Sequence, residues 1–379
     1  MAKVVDGFYE TRELSRWMLD QMTKPHGVLH PILLEVQRDP DLDLQIRRHY
    51  FNVYYRGGNL MEVHESRMGR LPFRASFHQG YTQGKGVSAW RDPPNAAERK
   101  LHEDLRDSGL LTPCLLSEQA ETAGHVDQFG QRKEAMDANK KPGRRPKAER
   151  EAAQVLVRAS NAAASNDYLI CDIEYSFPTP EHAKNSGRID LVAARRPDPG
   201  DPDARCRLVL VELKHGINAI DGAAGLRTHM DDLRVLMGDG SVARLREEMR
   251  GIVRQKHELG LMRTTALYFD PEAPLEYVVA VVAHNNRSQR LRDALLGRWH
   301  EEEGREGRLT PPDGLDVRIA VFAEDPLGGR DCVLRRDEML RLDDITSDDV
   351  PDEIFAKGRP VRQRPWKKDY PSDSPPVER

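Results

Sequence analysis

Apolar runs of strand length alternate with helical patterns through the second half of the chain. Continuous apolar stretches over 168–175, 188–194 and 207–214 predict three strands, and two more are predicted over 277–283 and 317–323. Apolar residues at helical spacing predict helices around these strands, over 148–163, 219–237, 242–259 and 287–300. Strands that are apolar on both faces must be buried on both faces. The alternation of strands and helices therefore predicts an α/β sheet flanked by helices.

The first 130 residues carry a mixed pattern. Apolar residues at helical spacing over 8–22 predict an opening helix. Two β-prone runs, 42–55 and 60–63, flank a Gly-Gly pair, which predicts a hairpin because glycine supplies the positive φ of a tight turn. A further helix is predicted over 95–110. Together these elements predict a separate N-terminal α+β domain.

Length and composition divide the chain into four parts. A chain of 379 residues predicts two folded units, which we place at 1–130 and 148–347. The tail, 348–379, is basic and rich in proline, and it is expected to be disordered. The basic segment 131–147 is expected to be a linker, either a solvated spacer or an arm that grips nucleic-acid phosphates. The candidate phosphate-binding residues of this linker are Lys140, Lys141, Arg144 and Arg145.

Charge and cysteine content restrict the class of protein only weakly. The net charge is −4, but 58 basic and 62 acidic residues can still segregate into a basic groove around an acidic site. The four cysteines form no CxxC motif, so they indicate neither a zinc knuckle nor disulfides, as in a reducing cytosol. No apolar run is long enough to span a bilayer, and the first twenty residues lack the apolar core of a signal peptide. We therefore expect a cytoplasmic protein without membrane contact.

Two opposite charges end the apolar strand predicted over 207–214. Glu212 and Lys214 are two residues apart, so they point to the same side of the strand. Burying both is costly unless they serve each other or a metal. Asp190 lies in the preceding apolar strand, and sequential strands joined by a loop usually pair. The sequence therefore predicts two carboxylates and one ammonium close together, and two carboxylates suffice for Mg²⁺, which keeps several waters.

These residues carry a resemblance to a known family. Asp190, then a loop, then Glu212-Leu213-Lys214 after an apolar strand resembles the motif of the PD-(D/E)XK nucleases. The similarity covers about 148–283 and implies a restriction-endonuclease-like mixed sheet flanked by helices. One departure is Ile189, which precedes Asp190 where the motif has proline.

The resemblance implies a role for each residue of the motif. Asp190 and Glu212 would bind Mg²⁺ or Mn²⁺, with the backbone carbonyl of Leu213 as a further ligand. Lys214 would be the catalytic lysine. The implied reaction is hydrolysis of phosphodiester bonds, with DNA favoured over RNA, leaving a 5′-phosphate.

Further site residues are predicted around this motif. Glu174, at the end of the first strand, is the favoured additional metal ligand, and Glu149 and Glu151 on the preceding helix compete with it. Asn218 and His229 follow the lysine and are candidates for contacts to phosphate or to the metal ligands. A solvent-facing or capping role is the alternative for His229.

Three functions are consistent with the sequence. The first is a metal-dependent endonuclease, by fold analogy in restriction or phage defence, and a homodimer would match the two-fold symmetry of duplex DNA. The second is a catalytically inactive nuclease-like module that binds nucleic acid or a partner protein. The third is a structural ion-pair network. The presence of all three motif residues favours the enzyme.

Overall fold

The computed structural model describes the chain in segments. These are residues 4–5, 8–9, 12–67, 69–78, 110–138, 148–163, 165–177, 187–197, 205–216, 225–238, 240–264, 266–283, 290–296, 309–322 and 332–345. Within them, no helix combines the length and the apolar character needed to cross a bilayer.

The N-terminal part of the chain forms a five-stranded antiparallel sheet with helices beside it. Its elements are β1 (Val4–Val5), β2 (Phe8–Tyr9), α1 (Arg16–Thr23), α2 (His30–Arg38), β3 (Leu42–Ile46), β4 (Tyr50–Tyr55), β5 (Gly58–Arg67), β6 (Arg70–His78), β7 (Leu110–Leu116), α3 (Gln119–Val126) and α4 (Phe129–Ala138). Strands β3 to β7 pair in chain order, each antiparallel to the next.

Several predicted boundaries in this part differ from the structure. The predicted hairpin is confirmed as β4 and β5, but the run over 42–55 is two strands because a turn at 47–49 divides it. The helix predicted over 8–22 begins only at Arg16, because Ser15 Oγ accepts a hydrogen bond from the Met18 N–H and caps it there. Residues 131–138 of the predicted linker lie in α4. The helix predicted over 95–110 lies outside the described residues apart from its last residue, which begins β7.

The second part of the chain forms a six-stranded mixed sheet. Its elements are α5 (Ala148–Asn161), β8 (Tyr168–Phe177), β9 (Gly187–Arg195), β10 (Arg207–His215), α6 (Leu226–Gly238), α7 (Ser241–Glu258), β11 (Leu275–Val282), α8 (Arg290–Leu296), β12 (Leu315–Val321) and β13 (Leu340–Arg341). The strand order is β13-β12-β11-β10-β9-β8, with β10, β11 and β12 parallel and the other neighbours antiparallel. All eight residues of β11 are buried, as expected for a strand covered on both faces. The predicted α/β class is confirmed, and so is the element order as far as β12, but the short strand β13 was not predicted.

A buried ionic cluster joins the two parts of the chain. Asp172 on β8 is fully buried and forms ion pairs with Arg12 at 2.8 Å and with Arg47 at 2.5 Å, both from the N-terminal part. Lys256 on α7 donates to the backbone carbonyl of Cys171 and adds a third positive charge near Asp172. We call Arg12, Arg47, Asp172 and Lys256 the Asp172 cluster. Apolar residues of both parts also pack in one continuous core, so the two sheets support each other.

The hairpin tip also packs closely on α5. Gly57 has φ +68°, its N–H donates to Gln154 Oε1 at 2.8 Å, and a Cβ placed there would lie 2.5 Å from the backbone carbon of Arg150. We therefore expect Gly57→Ala to lower the free energy of unfolding by about 2–4 kcal/mol, through left-handed strain and overpacking. Gly69→Ala is the matched control, because Gly69 has φ +69° and no described atom lies within 4 Å of where its Cβ would be, and strain alone costs about 1–2 kcal/mol. Urea unfolding measures both variants, and equal losses would contradict the predicted contact with α5.

Candidate functional site

Asp190 and Glu212 face each other across neighbouring strands. The pairing of β9 with β10 ends at Leu191 and Val211, and Asp190 and Glu212 occupy the next facing positions. The Asp190 Oδ2 atom accepts a hydrogen bond of 2.9 Å from the backbone N–H of Leu213. The adjacency predicted from the sequence is therefore present, and the antiparallel register brings both carboxylates to one end of the strand pair.

Lys214 and His229 both contact the Glu212 carboxylate. The Lys214 Nζ donates to Glu212 Oε1 at 2.7 Å, and each of the two side chains is 5% exposed. The His229 Nε2 lies 2.8 Å from the same oxygen and 3.1 Å from Lys214 Nζ. His229 is on α6, so this helix contacts the lysine and the glutamate of β10. The structure thus places His229 at the site rather than facing solvent.

The two carboxylates have opposite electrostatic environments. Burial, and then the charge of Glu212, raise the pKa of Asp190 to about 7, although the N–H of Leu213 and the charge of Arg188 oppose the shift. Burial also raises the pKa of Glu212, but the hydrogen bond with His229 and the charge of Lys214 outweigh it and lower that pKa. Glu212 is therefore ionised at neutral pH, while Asp190 is only partly ionised.

This asymmetry predicts a pH-dependent effect of Asp190→Asn on stability. A carboxyl whose pKa is raised on folding stabilises the protein below its unfolded pKa of about 4, and that contribution is lost as pH rises through about 7. The asparagine variant stays neutral, so in EDTA it should unfold at a higher temperature than wild type at pH 8. The difference should shrink towards pH 4.5. A Tm difference that does not change with pH would contradict the assignment, and Asp231→Asn, at an exposed carboxylate, is the control.

Glu174 lies on the other side of Asp190. The pairing of β8 with β9 sets Glu174 opposite Asp190, so three acidic residues stand in one row across three strands. However, Glu174 has φ +53°, and its Oε1 lies 2.8 Å from Arg150 Nε and 3.8 Å from Arg188 Nη1. In the described part of the chain, no three His, Cys, Asp or Glu side chains group closely enough to hold a metal ion. The described ligand set is therefore two carboxylates, and Glu174 is held by arginines in a strained backbone conformation.

A cavity of about 350 Å³ opens beside Asp190. Its walls come from the hairpin tip, the start of α5 and the ends of β8 and β9. Tyr54 belongs to the hairpin wall, and its hydroxyl donates to Glu174 Oε2 at 3.4 Å. Arg150 and Arg188 supply positive charge within 4 Å of Glu174, and Arg188 Nη2 is also 3.7 Å from Asp190 Oδ1. The cavity therefore combines an acidic edge with two guanidinium groups, as a phosphate next to a metal would require.

The two competing acidic residues on α5 differ in position. Glu149 lines the same cavity as Asp190, and its charge contributes to the raised pKa of Asp190. Glu151 instead pairs with Arg56 at 3.4 Å. Of these two residues, Glu149 is therefore the one at the site.

Besides Tyr54 and Arg150, two further residues of the site were not predicted from the sequence. Arg188 precedes Asp190 by two positions, so strand alternation places it on the same side and could have identified it. Tyr277 on β11 is 1% exposed, and its hydroxyl has no hydrogen-bond partner among the described residues. Burial and the charges of Glu212 and Asp190 raise the pKa of Tyr277 well above its ordinary value. No sequence signal distinguishes Tyr277 from an ordinary core tyrosine.

Other predicted site residues lie outside the described part of the chain. They are Asn218 and the basic cluster Lys140, Lys141, Arg144 and Arg145.

No protein-family model, curated protein or solved structure matches this chain. The site itself is a buried acidic pair with a lysine, next to an arginine-lined cavity.

Proposed function

We propose that this chain is a metal-dependent nuclease that hydrolyses phosphodiester bonds, with DNA as the favoured substrate. The observation that carries the proposal is the facing pair Asp190 and Glu212, with Lys214 Nζ 2.7 Å from Glu212 Oε1. These groups lie at the end of a buried strand pair, where unpaired charges would be unfavourable. The resemblance of the motif to the PD-(D/E)XK nucleases supports the same conclusion.

The donor set fits Mg²⁺ or Mn²⁺. Asp190 and Glu212 offer carboxylate oxygens, and Mg²⁺ needs only one or two carboxylates because it keeps several waters. Burial, and then repulsion from Glu212, raise the pKa of Asp190, and a divalent cation held by these carboxylates would relieve that repulsion. When bound, such a cation polarises the phosphate and lowers the pKa of a coordinated water.

The chain's own side chains supply the remaining steps. Lys214, oriented by Glu212 and His229, positions the attacking water, and in its neutral amine form it accepts the proton of that water and then releases it to solvent. Arg150 and Arg188 bind the non-bridging oxygens of the phosphate in the cavity. The water oxygen forms a bond to phosphorus as the bond to O3′ breaks. The products carry a 5′-phosphate and a 3′-hydroxyl, whose proton comes from solvent.

A cleavage assay tests the function. Supercoiled plasmid, linear duplex DNA and single-stranded RNA are incubated with the full chain in Mg²⁺, Mn²⁺ or EDTA. We expect DNA products with 5′-phosphate ends in Mg²⁺ or Mn²⁺ and none in EDTA. Cleavage in EDTA would reject the metal mechanism, and cleavage of RNA alone would reject the preference for DNA.

One observation favours a second function, a nuclease-like module that binds without cutting. Glu212 Oε1 already contacts Lys214 and His229, so its charge is balanced without a cation. Binding of nucleic acid or a partner protein, with no cleavage in any divalent metal, would favour this module over the enzyme.

A further inference from the structure

A second cavity, of about 660 Å³, lies at the opposite end of the six-stranded sheet. Arg195, which lines it, ends β9 five residues after Asp190, so the two sites are about 17 Å apart along the strand. The volume is in the range of pockets that hold small-molecule ligands. Five arginines line this cavity, which we call the arginine pocket: Arg195, Arg196, Arg318, Arg335 and Arg336.

The floor of the arginine pocket is a buried polar network. Arg195 and Arg318 are each 8% exposed at the side chain, and both reach Glu276, at 3.3 Å and 3.8 Å. The Tyr168 hydroxyl donates to the other oxygen of Glu276 at 2.5 Å. Arg318 also pairs with Asp316 at 3.1 Å. These contacts fix two guanidinium groups in place before any ligand arrives.

Several N–H groups of the pocket lack an acceptor within the described segments. The Nε atoms of Arg195, Arg196 and Arg336 are buried and have no hydrogen-bond partner among the described residues. Leaving a buried donor unsatisfied costs about 1–3 kcal/mol, and more for a charged group. Three such donors around one cavity therefore indicate that an external acceptor completes them.

The residues that line the pocket carry more positive than negative charge. Within the described part of the chain, no carboxylate lies within 4 Å of the guanidinium of Arg196 or Arg336. Arg335 at the rim pairs with Glu338 at 3.2 Å. Asp167 accepts a hydrogen bond from the backbone N–H of Arg336, so it holds that segment. Asp167 and Asp337 also line the pocket, so five guanidinium groups stand against two lining carboxylates, and this excess of positive charge matches a dianion.

We propose that the arginine pocket binds a free nucleotide with two linked phosphates. Guanidinium groups match phosphate oxygens with paired N–H donors, and the charges of Arg196 and Arg336 suit a diphosphate. The cavity volume leaves room beyond the diphosphate for a sugar and a base. The unsatisfied Nε donors are buried, which favours a small ligand over the backbone of a duplex. This proposal is independent of the nuclease activity.

Calorimetry on the full chain in EDTA tests the proposal, with ADP, pyrophosphate and adenosine as probes. An Arg150→Gln/Arg188→Gln background removes the phosphate contacts proposed for the first site. ADP and pyrophosphate should bind and adenosine should not. The double variant Arg196→Gln/Arg336→Gln should weaken ADP binding at least tenfold. Arg250→Gln, at an exposed arginine paired with Glu247, should bind ADP like the background.

Thermal unfolding separates ligand loss from misfolding. Without ligand, the double variant should unfold at or above the Tm of the background, because unsatisfied buried donors are removed. ADP bound equally by the double variant would overturn the proposal. Failure of ADP to bind, with a short DNA duplex bound and released by the same double substitution, would overturn it in favour of a nucleic-acid contact.

Discussion

The Lys214→Met variant should lose metal-dependent DNA cleavage by a factor of about 10²–10⁴, the usual contribution of a positioned proton-transfer group. Methionine fills most of the buried space of the lysine, but it can neither donate a hydrogen bond to Glu212 nor accept a proton. Initial rates of plasmid nicking in Mg²⁺ measure the loss. Tm is followed in parallel, because removing one partner of a buried ion pair also destabilises the fold.

Two further variants sharpen this test. Lys24→Met, at an exposed lysine paired with Asp20, should cleave like wild type. Lys214→Arg keeps a positive charge but cannot release a proton, so recovery of activity would assign an orienting role to Lys214 and no recovery a proton-transfer role. Cleavage by Lys214→Met at the wild-type rate would remove Lys214 from the mechanism.

Asp172→Asn should have the largest effect on stability, a loss of about 3–5 kcal/mol in the free energy of unfolding. The carboxylate is fully buried, and the positive charges of Arg12, Arg47 and Lys256 outweigh the effect of burial and lower its pKa. The variant would leave three buried cations around a neutral amide. Urea unfolding gives the change directly.

Asp343→Asn provides the comparison for this prediction. Asp343 also pairs with an arginine, Arg341 at 3.2 Å, but it is 73% exposed. Such surface pairs contribute little, so the control should change stability by less than about 1 kcal/mol. A similarly small loss in Asp172→Asn would show that the Asp172 cluster is not what holds the two sheets together.

The six-stranded sheet could be predicted because its strands are marked by runs of neighbouring apolar residues in the sequence. Strands β10 and β11 are apolar on both faces, and alternation alone places Glu212 and Lys214 on one side. The hairpin followed from the Gly-Gly turn. In contrast, α2 was not predicted; it contains Pro31, which lies in the first turn, where a helix tolerates proline.

The rest of the site depends on long-range contacts that no local pattern encodes. Tyr54 reaches Glu174 across 120 positions of sequence, and Arg47 reaches Asp172 across 125. The positive φ of Glu174 turns its carboxylate towards Arg150, which strand alternation alone does not predict. The arginine pocket gathers its guanidinium groups from three separate segments, so it emerges only from the fold.

The Asp172 cluster has a consequence for how this chain can evolve. Two of its cations come from the first fifty residues, and its anion lies beyond position 170. Suppose that recombination at 139–147 replaced the N-terminal part with that of another protein. The buried Asp172 carboxylate would then lose Arg12 and Arg47, and the cavity would lose Tyr54. We therefore expect both halves to be inherited together, with Arg12, Arg47 and Asp172 changing as a set across descendants.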